Sequence, residues 1–221
     1  MRLATFAALP ALMLAAGLAG PALAQTSTTT ETAPLNSTEA PHAAGHAATD
    51  TPEQAMDRPT AAATLIGLDG ETIGSAQFME TPHGVVIRLT VEGLEAGERA
   101  IHLHENGECD AAGGFESAGG HFNPTGAAHG YLNADGPHAG DMPNQFISES
   151  GTLDINIFNP LIKVVAGEDN SPDDGRSAIT GTDVSTAIMI HDHADDYMTD
   201  PAGDAGGRIA CGVIELAPPF G

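Results

Sequence analysis

Short segments with the composition or two-residue period of β-strands recur along this chain, and none shows a convincing helical period with caps. The stretches between them are rich in glycine, aspartate, asparagine and proline. A chain of this kind buries its apolar faces by packing sheet on sheet, which predicts an antiparallel β-sandwich or β-barrel. The predicted strands are residues 63–68, 71–78, 84–91, 152–158, 186–191 and 211–216.

The turn and core residues fit this prediction. Asp69 and Gly70 separate the first two predicted strands, and an Asp-Gly pair in that position is a strong hairpin signal. The sequence has no tryptophan and few aromatic residues, so its core must be built from valine, isoleucine, leucine and alanine. The loops are long for a compact domain, and loops of that length usually carry function.

The N-terminal part of the chain is predicted to lie outside the folded domain. Arg2, an apolar run broken by Pro10, and the A-x-A pattern of residues 22–24 indicate a signal peptide over residues 1–24. That run is too short for a membrane span. Residues 25–61 are rich in Thr, Ala, Pro and Ser and are predicted to form a disordered linker. Residues 62–221 then form one domain, exported and most simply periplasmic.

The charge balance excludes two classes of partner. The formal net charge is -23, with only seven Lys and Arg residues. Such a chain is repelled by nucleic acids and by anionic membranes, so we expect neither as a partner. The two cysteines, Cys109 and Cys211, are expected to form a disulfide because an exported protein meets an oxidising compartment.

Several histidines stand at spacings that suit metal coordination. His102 and His104 are two apart on a predicted strand and therefore project from the same face. A glycine-rich loop carries His121, His129, His138 and Asp141, a donor set that suits tetrahedral Zn²⁺.

A further histidine, His191, ends a predicted strand. With His102 and His104 it would complete an all-imidazole set of the kind that favours Cu²⁺. If His121 lay between the two clusters, each of its ring nitrogens could bind one metal.

Six motifs, in the order in which they stand, resemble those of the copper,zinc superoxide dismutases, and the resemblance covers about residues 62–216. The motifs are HLHENGEC, SAGGHFNP, AHG, GPHAGDMPN, IHDHADDY and GDAGGRIACGVIEL. The resemblance implies an all-β fold, an eight-stranded antiparallel Greek-key β-barrel with sandwich architecture and long metal-binding loops. It also implies one copper and one zinc per subunit and dismutation of superoxide by copper redox cycling.

The resemblance assigns a role to each residue of the matched motifs. The implied copper ligands are His102, His104, His121 and His191. The implied zinc ligands are His121, which bridges the two ions, and His129, His138 and Asp141. Asp195 corresponds to the carboxylate that links a copper-ligand histidine to a zinc-ligand histidine, and Arg208 to the cationic residue beside copper. Cys109 and Cys211 match the family's intrasubunit disulfide.

Some features depart from the family pattern or leave alternatives open. Residues 159–183 are longer or more acidic than the family pattern, and His193 stands where the family usually has a different, often basic, residue. The family forms both monomers and homodimers, so the assembly stays open. An exported copper- and zinc-binding module without dismutase activity is the alternative function. Related modules lack a copper ligand or the arginine, and this sequence has all of them.

Overall fold

A computed structural model of the protein describes residues 60–165 and 174–218. The predicted signal peptide and nearly all of the predicted linker lie outside these residues. The described strands are β1 (Thr60–Gly67), β2 (Thr72–Thr81), β3 (Gly84–Val91), β4 (Gly97–Arg99), β5 (Ile101–His104), β6 (Gln145–Ile147), β7 (Leu153–Asn159), β8 (Ile162–Val165), β9 (Ser177–Thr180), β10 (Ala187–His191), β11 (Arg208–Val213) and β12 (Glu215–Ala217). A single 3₁₀ turn spans Glu116–Ala118 within the described part of the chain.

Eight of these strands form one antiparallel sheet. Seven follow the order β5-β10-β11-β1-β2-β3-β7, and β12 also pairs with β1. The chain leaves the sheet after β3, beside β7, and returns as β5 at the opposite edge, as in a Greek-key connection. The predicted all-β antiparallel fold is confirmed.

Two short pairs lie outside this sheet: β4 with β6, antiparallel, and β8 with β9, parallel. These four strands were not predicted, because three or four residues are too few to show a period. The parallel pair β8–β9 lies within the segment, residues 159–183, that departs from the family pattern.

The hairpin predicted at Asp69 and Gly70 is present. Strands β1 and β2 pair along most of their length, and the backbone of Gly70 takes a φ of 78° that favours glycine. The first strand begins at Thr60, slightly earlier than the sequence pattern indicated.

Strands β5 and β10 pair at one edge of the sheet and divide their side chains between two environments. Ile101 and Leu103 of β5 enter the main hydrophobic core with Ile188 and Ile190 of β10. Because strand side chains alternate between faces, the histidines of β5 lie on the opposite side from the core. All of these residues are buried. The packed edge therefore fixes the histidines rigidly.

The long loops of the domain leave from this edge. One runs from β5 to β6 over residues 105–144, and the other from β10 to β11 over residues 192–207. A disulfide between Cys109 and Cys211 ties the first loop to β11, as predicted. Among the described residues, no helix has the length and apolarity that a membrane span requires.

Candidate metal centre

The first group of histidines gathers side chains from two strands and a loop. Its members are His102, His104, His121 and His191, and one ring nitrogen of each lies within 4.8 Å of the others. The Nε2 atoms of His104 and His191 are 3.4 Å apart. Because β5 and β10 are neighbours in the sheet, strand pairing alone brings three of the four together.

The second group surrounds a single carboxylate oxygen. Oδ1 of Asp141 lies 3.0 Å from Nδ1 of His121, 3.2 Å from Nδ1 of His129 and 3.3 Å from Nδ1 of His138. In a tetrahedral site with metal–ligand bonds of about 2.0 to 2.1 Å, neighbouring donor atoms are about 3.3 Å apart. The second group therefore has the spacing of a tetrahedral N₃O site.

The other oxygen of Asp141 fixes the carboxylate in place. Oδ2 accepts backbone N–H groups from Gly130 at 2.9 Å and from His138 at 3.0 Å. The backbone carbonyl of Asp141 accepts the hydroxyl of Tyr131 at 2.8 Å. Burial raises the pKa of Tyr131, and the nearby Asp141 charge raises it further, so this hydroxyl stays protonated and able to donate. Oδ1 is left facing the histidines.

Buried ring nitrogens without hydrogen-bond partners converge in both groups. They include Nδ1 of His102, His129 and His138, and Nε2 of His121, all on buried side chains. Buried polar atoms nearly always have a partner, so converging exceptions need an explanation. Metal ions at the two groups would supply the missing partners, and the donor sets fit them.

His121 belongs to both groups. Its Nδ1 faces Asp141, and its ring centroid lies 3.9 Å from that of His102. Its Nε2 is thus the nitrogen left for the first group. One imidazole joins the two sets of donors.

Burial keeps three imidazoles of the first group neutral. Desolvation, helped by neighbouring histidines, lowers the pKa of His104 to about 2 and that of His191 to about 3. Desolvation also lowers the pKa of His121 to about 4, although the hydrogen bond with Asp141 opposes it. At neutral pH these imidazoles therefore hold free lone pairs, the form that binds metals.

The second group is charged. Burial raises the pKa of Asp141, but the three histidine rings around Oδ1 and a backbone N–H outweigh it and hold that pKa well below its usual range. Burial lowers the pKa of His129, but Asp141 and Asp195 outweigh it and raise it to about 9. A metal ion binding here would displace the proton of His129.

Asp195 connects one histidine of each group. Its Oδ2 accepts Nε2–H of His102 and its Oδ1 accepts Nε2–H of His129, both at 2.9 Å. Burial raises the pKa of Asp195, but these two hydrogen bonds outweigh it, so the carboxylate stays ionised. Such a partner fixes the tautomer and orientation of each ring and leaves Nδ1 free for a metal.

Arg208 lies beside the first group at the start of β11. Its Nη1 donates to the carbonyl of Phe115 and its Nη2 to the carbonyl of Gly119, both at 2.6 Å. Its charge contributes to the lowered pKa values of His104 and His191. The guanidinium is thus held at the site by the loop that the disulfide anchors.

The structure brings together every candidate named from the sequence. His193 lies outside the site, with 70% of its side chain exposed. Three residues that position the site had no assigned role: Asn144, Tyr197 and Tyr131. Asn144 ends the motif GPHAGDMPN and Tyr197 ends the motif IHDHADDY. Their place in these motifs was the only feature of the sequence that could have indicated a role for them.

The comparisons with known proteins agree on one family. A family model described as copper/zinc superoxide dismutase matches residues 72–214. The chain is 48% identical over 153 residues to Cu-Zn superoxide dismutase 2 of Aquifex aeolicus, covering 69% of this chain and 84% of that protein. It is 38% identical over 157 residues to the Cu-Zn superoxide dismutase of Caulobacter vibrioides, covering 71% and 86% of the two chains.

A solved structure of a superoxide dismutase-like protein from Bacillus subtilis is also similar. It superposes with a TM-score of 0.61 at 32% identity, covering 69% of this chain and 96% of that one. The similarity spans almost all of that protein.

Proposed function

The chain belongs to the copper/zinc superoxide dismutase family, and from that premise we propose that it converts superoxide to dioxygen and hydrogen peroxide at the paired groups described above. The first group would hold copper through His102, His104, His121 and His191. The second would hold zinc through His121, His129, His138 and Asp141. The observation that carries the proposal is the position of His121, whose two ring nitrogens face one group each.

The donor chemistry supports these two assignments. Four imidazoles suit copper, which leads the divalent series in affinity for nitrogen donors. Three imidazoles and one carboxylate at tetrahedral spacing suit zinc. When bound, copper supplies the one-electron redox change, whereas zinc has no redox chemistry and acts through its charge and ligand geometry.

The protein's own residues attract the substrate, orient the ligands and handle protons. Two superoxide ions and two protons give one dioxygen and one hydrogen peroxide. Arg208 attracts the superoxide anion, since hydrogen bonds with two backbone carbonyls hold its positively charged guanidinium beside the first group. Asp195 keeps His102 and His129 in the tautomer that exposes Nδ1. His121 carries one of the two protons at Nε2.

The net charge of -23 repels an anionic substrate, yet most of the acidic residues that carry it lie outside the two groups. At physiological ionic strength charges separated by more than about 8 Å are largely screened. Arg208 shares the carbonyl of Gly119 with His104 of the first group, and only 16% of its side chain is exposed. Local attraction therefore outweighs the general repulsion at the site.

The alternative is an exported metal-binding module on the same scaffold. The Bacillus subtilis relative is named only superoxide dismutase-like. The intact set of donors and Arg208 favours the enzyme, because a module needs neither the arginine nor the shared imidazole.

Assay of the purified protein separates the two functions. We expect one copper and one zinc per chain by elemental analysis, and dismutase activity on a stained gel that cyanide abolishes. Activity that persists in cyanide would exclude copper chemistry. Full loading with both metals but no activity would favour the module.

We also propose that the chain is exported, with periplasm as its destination. Residues 1–24 would be removed as a signal peptide, and a linker would lead from residue 25 to the start of β1. Cell fractionation and N-terminal sequencing test both points, with Gln25 expected as the first residue. A mature protein that retains residues 1–24 would contradict the signal peptide.

A further inference from the structure

Tyr197 contacts three separate parts of the metal centre through three different groups. Its backbone N–H donates to Oδ1 of Asp195 at 2.6 Å. Its backbone carbonyl accepts the N–H of Leu132 at 2.9 Å, just beyond His129. Its phenol oxygen accepts the backbone N–H of Asn144 at 2.7 Å. The residue thus joins the two long loops.

Asn144 completes a closed ring of contacts with Asp195. Its side-chain amide donates to the backbone carbonyl of Asp195, and its side-chain oxygen accepts the backbone N–H of Asp195, both at 2.8 Å. The backbone of Asn144 is held in turn by the phenol of Tyr197. The position of Asp195 therefore depends on Asn144, and that of Asn144 depends on the hydroxyl of Tyr197.

The backbone at Tyr197 takes a conformation that residues with a Cβ seldom adopt. Its φ is 62°, in the left-handed region, where a tyrosine has a free-energy cost that glycine avoids. Gly130 packs directly on its carbonyl, since a Cβ at Gly130 would lie 2.1 Å from that oxygen. Side-chain and backbone contacts together hold this conformation.

We propose that Tyr197 is a positioning residue that, through its phenol and Asn144, sets the Asp195 carboxylate between His102 and His129. The inference rests on the proposed function for its importance to catalysis. The positioning itself is a property of the metal-free chain, because every contact in it is made by protein atoms. Asp195 touches one histidine of each group, so loss of the phenol contact should affect both groups together.

The matched pair of variants is Tyr197→Phe and Tyr131→Phe. The two rings are neighbours, 5.8 Å apart. Each substitution removes one hydroxyl and leaves the ring and backbone. The hydroxyl of Tyr131 donates to the carbonyl of Asp141 and makes no hydrogen bond with Asp195, so Tyr131→Phe controls for the loss of a phenol in the same region.

The first measurement is solvent exchange of the Nε2–H protons of His102 and His129, by NMR of metal-free protein labelled with ¹⁵N-histidine. Asp195 accepts both protons. We expect Tyr197→Phe to speed both exchanges about tenfold, the scale of one lost hydrogen bond. Tyr131→Phe acts through Asp141 and should leave the exchange at His102 within about twofold. Unchanged exchange in Tyr197→Phe, or equal effects of the two variants, would overturn the proposal.

The second measurement uses metal-loaded protein. Tyr197→Phe should weaken Zn²⁺ binding about tenfold and also change the Cu²⁺ electron paramagnetic resonance spectrum. Tyr131→Phe should leave the copper spectrum unchanged. A copper spectrum unaltered by Tyr197→Phe would contradict the coupling. If the purified chain had no dismutase activity, the exchange result would still decide the positioning role, so the two failures are distinguishable.

A second variant covers the case in which Tyr197→Phe does not fold. Asn144→Ala leaves Tyr197 intact and removes the amide that holds the backbone of Asp195. It should speed the same two exchanges. Normal exchange at both histidines in folded Asn144→Ala would refute the ring of contacts on which the proposal depends.

Discussion

Arg208 and His104 share one acceptor, the backbone carbonyl of Gly119. Nη2 of Arg208 donates to this oxygen at 2.6 Å, and Nδ1 of His104 lies 3.0 Å from it. The cation expected to attract superoxide and an expected copper ligand are therefore set by the same peptide. Any movement of the loop that carries Gly119 would disturb both.

Replacing Arg208 with glutamate should lower the catalytic rate constant by more than about tenfold, because local potential governs the encounter with a charged substrate. Copper should stay bound, since Arg208 contacts two backbone carbonyls and lies 4.0 Å from the carboxylate of Glu116, and none of these groups is a metal donor. Pulse radiolysis with metal analysis of the same sample measures both quantities.

Arg88→Glu is the matched control for that variant. Arg88 is an exposed residue of β3 that pairs with Asp154, and its replacement changes the net charge by the same amount. Equal losses of rate in the two variants would mean that total charge matters and that Arg208 has no special role.

Loss of the disulfide should reduce both stability and rate. Cys109 and Cys211 are 102 residues apart, and chain-entropy reasoning gives such a link about 4 to 5 kcal/mol. The double variant Cys109→Ser, Cys211→Ser should unfold at much lower denaturant concentration, by circular dichroism. Its rate should also fall, because the carbonyls of Phe115 and Gly119 that hold Arg208 lie on the freed loop. An unchanged rate in the folded variant would show that the loop keeps its position without the bond.

The sequence predicted the donors better than the residues that hold them. His102 and His104 follow from strand period, and the spacing of the loop histidines suggested zinc before any motif was considered. Asn144 and Tyr197 could not be found in this way, since their contacts join loops about fifty residues apart. Hydrophobic period predicts elements, whereas contacts between loops depend on the folded path of the chain. Strands β8 and β9 were missed for a different reason, since four residues are too few to show a period.

Asp195→Asn should weaken binding at both groups. The substitution removes the negative charge that His102 and His129 share, and it leaves one ring facing an amide N–H donor. Loss of such a partner typically lowers metal affinity by about 10- to 100-fold. Competition with a chelator, for copper and for zinc in turn, measures the two metal affinities. Asp154→Asn, at an exposed position of β7, is the control, and equal affinities in both variants would contradict the linking role.

Gly203→Ala should disrupt the same carboxylate by steric contact. A Cβ at Gly203 would lie 1.8 Å from Oδ1 of Asp195 and 2.6 Å from Nε2 of His129. Gly70→Ala is the control because Gly70 also has a positive φ, 78° against 64°, but has no atom within 4 Å of its added Cβ. Both variants lose the backbone freedom of glycine, so only Gly203→Ala should lose zinc. Zinc retained in Gly203→Ala at the level of Gly70→Ala would show that Asp195 tolerates displacement.

Removal of the metals should lower the melting temperature by at least about 8 °C. A ligand present at a thousand times its dissociation constant stabilises the native state by about 4 kcal/mol, and each kcal/mol is worth about 2 to 4 °C in a domain of this size. The loops bearing His121, His129 and Asp195 meet at the two groups, and without ions the converging ring nitrogens of these histidines lose their partners. Calorimetry of chelator-treated protein measures the change.

Added Zn²⁺ should restore most of the lost melting temperature, and Mg²⁺ should not, because Mg²⁺ prefers oxygen donors and octahedral geometry. If treated and metal-loaded protein melted together, the ions would not hold these loops, and their order would have to come from the disulfide and the contacts of Asp195 alone.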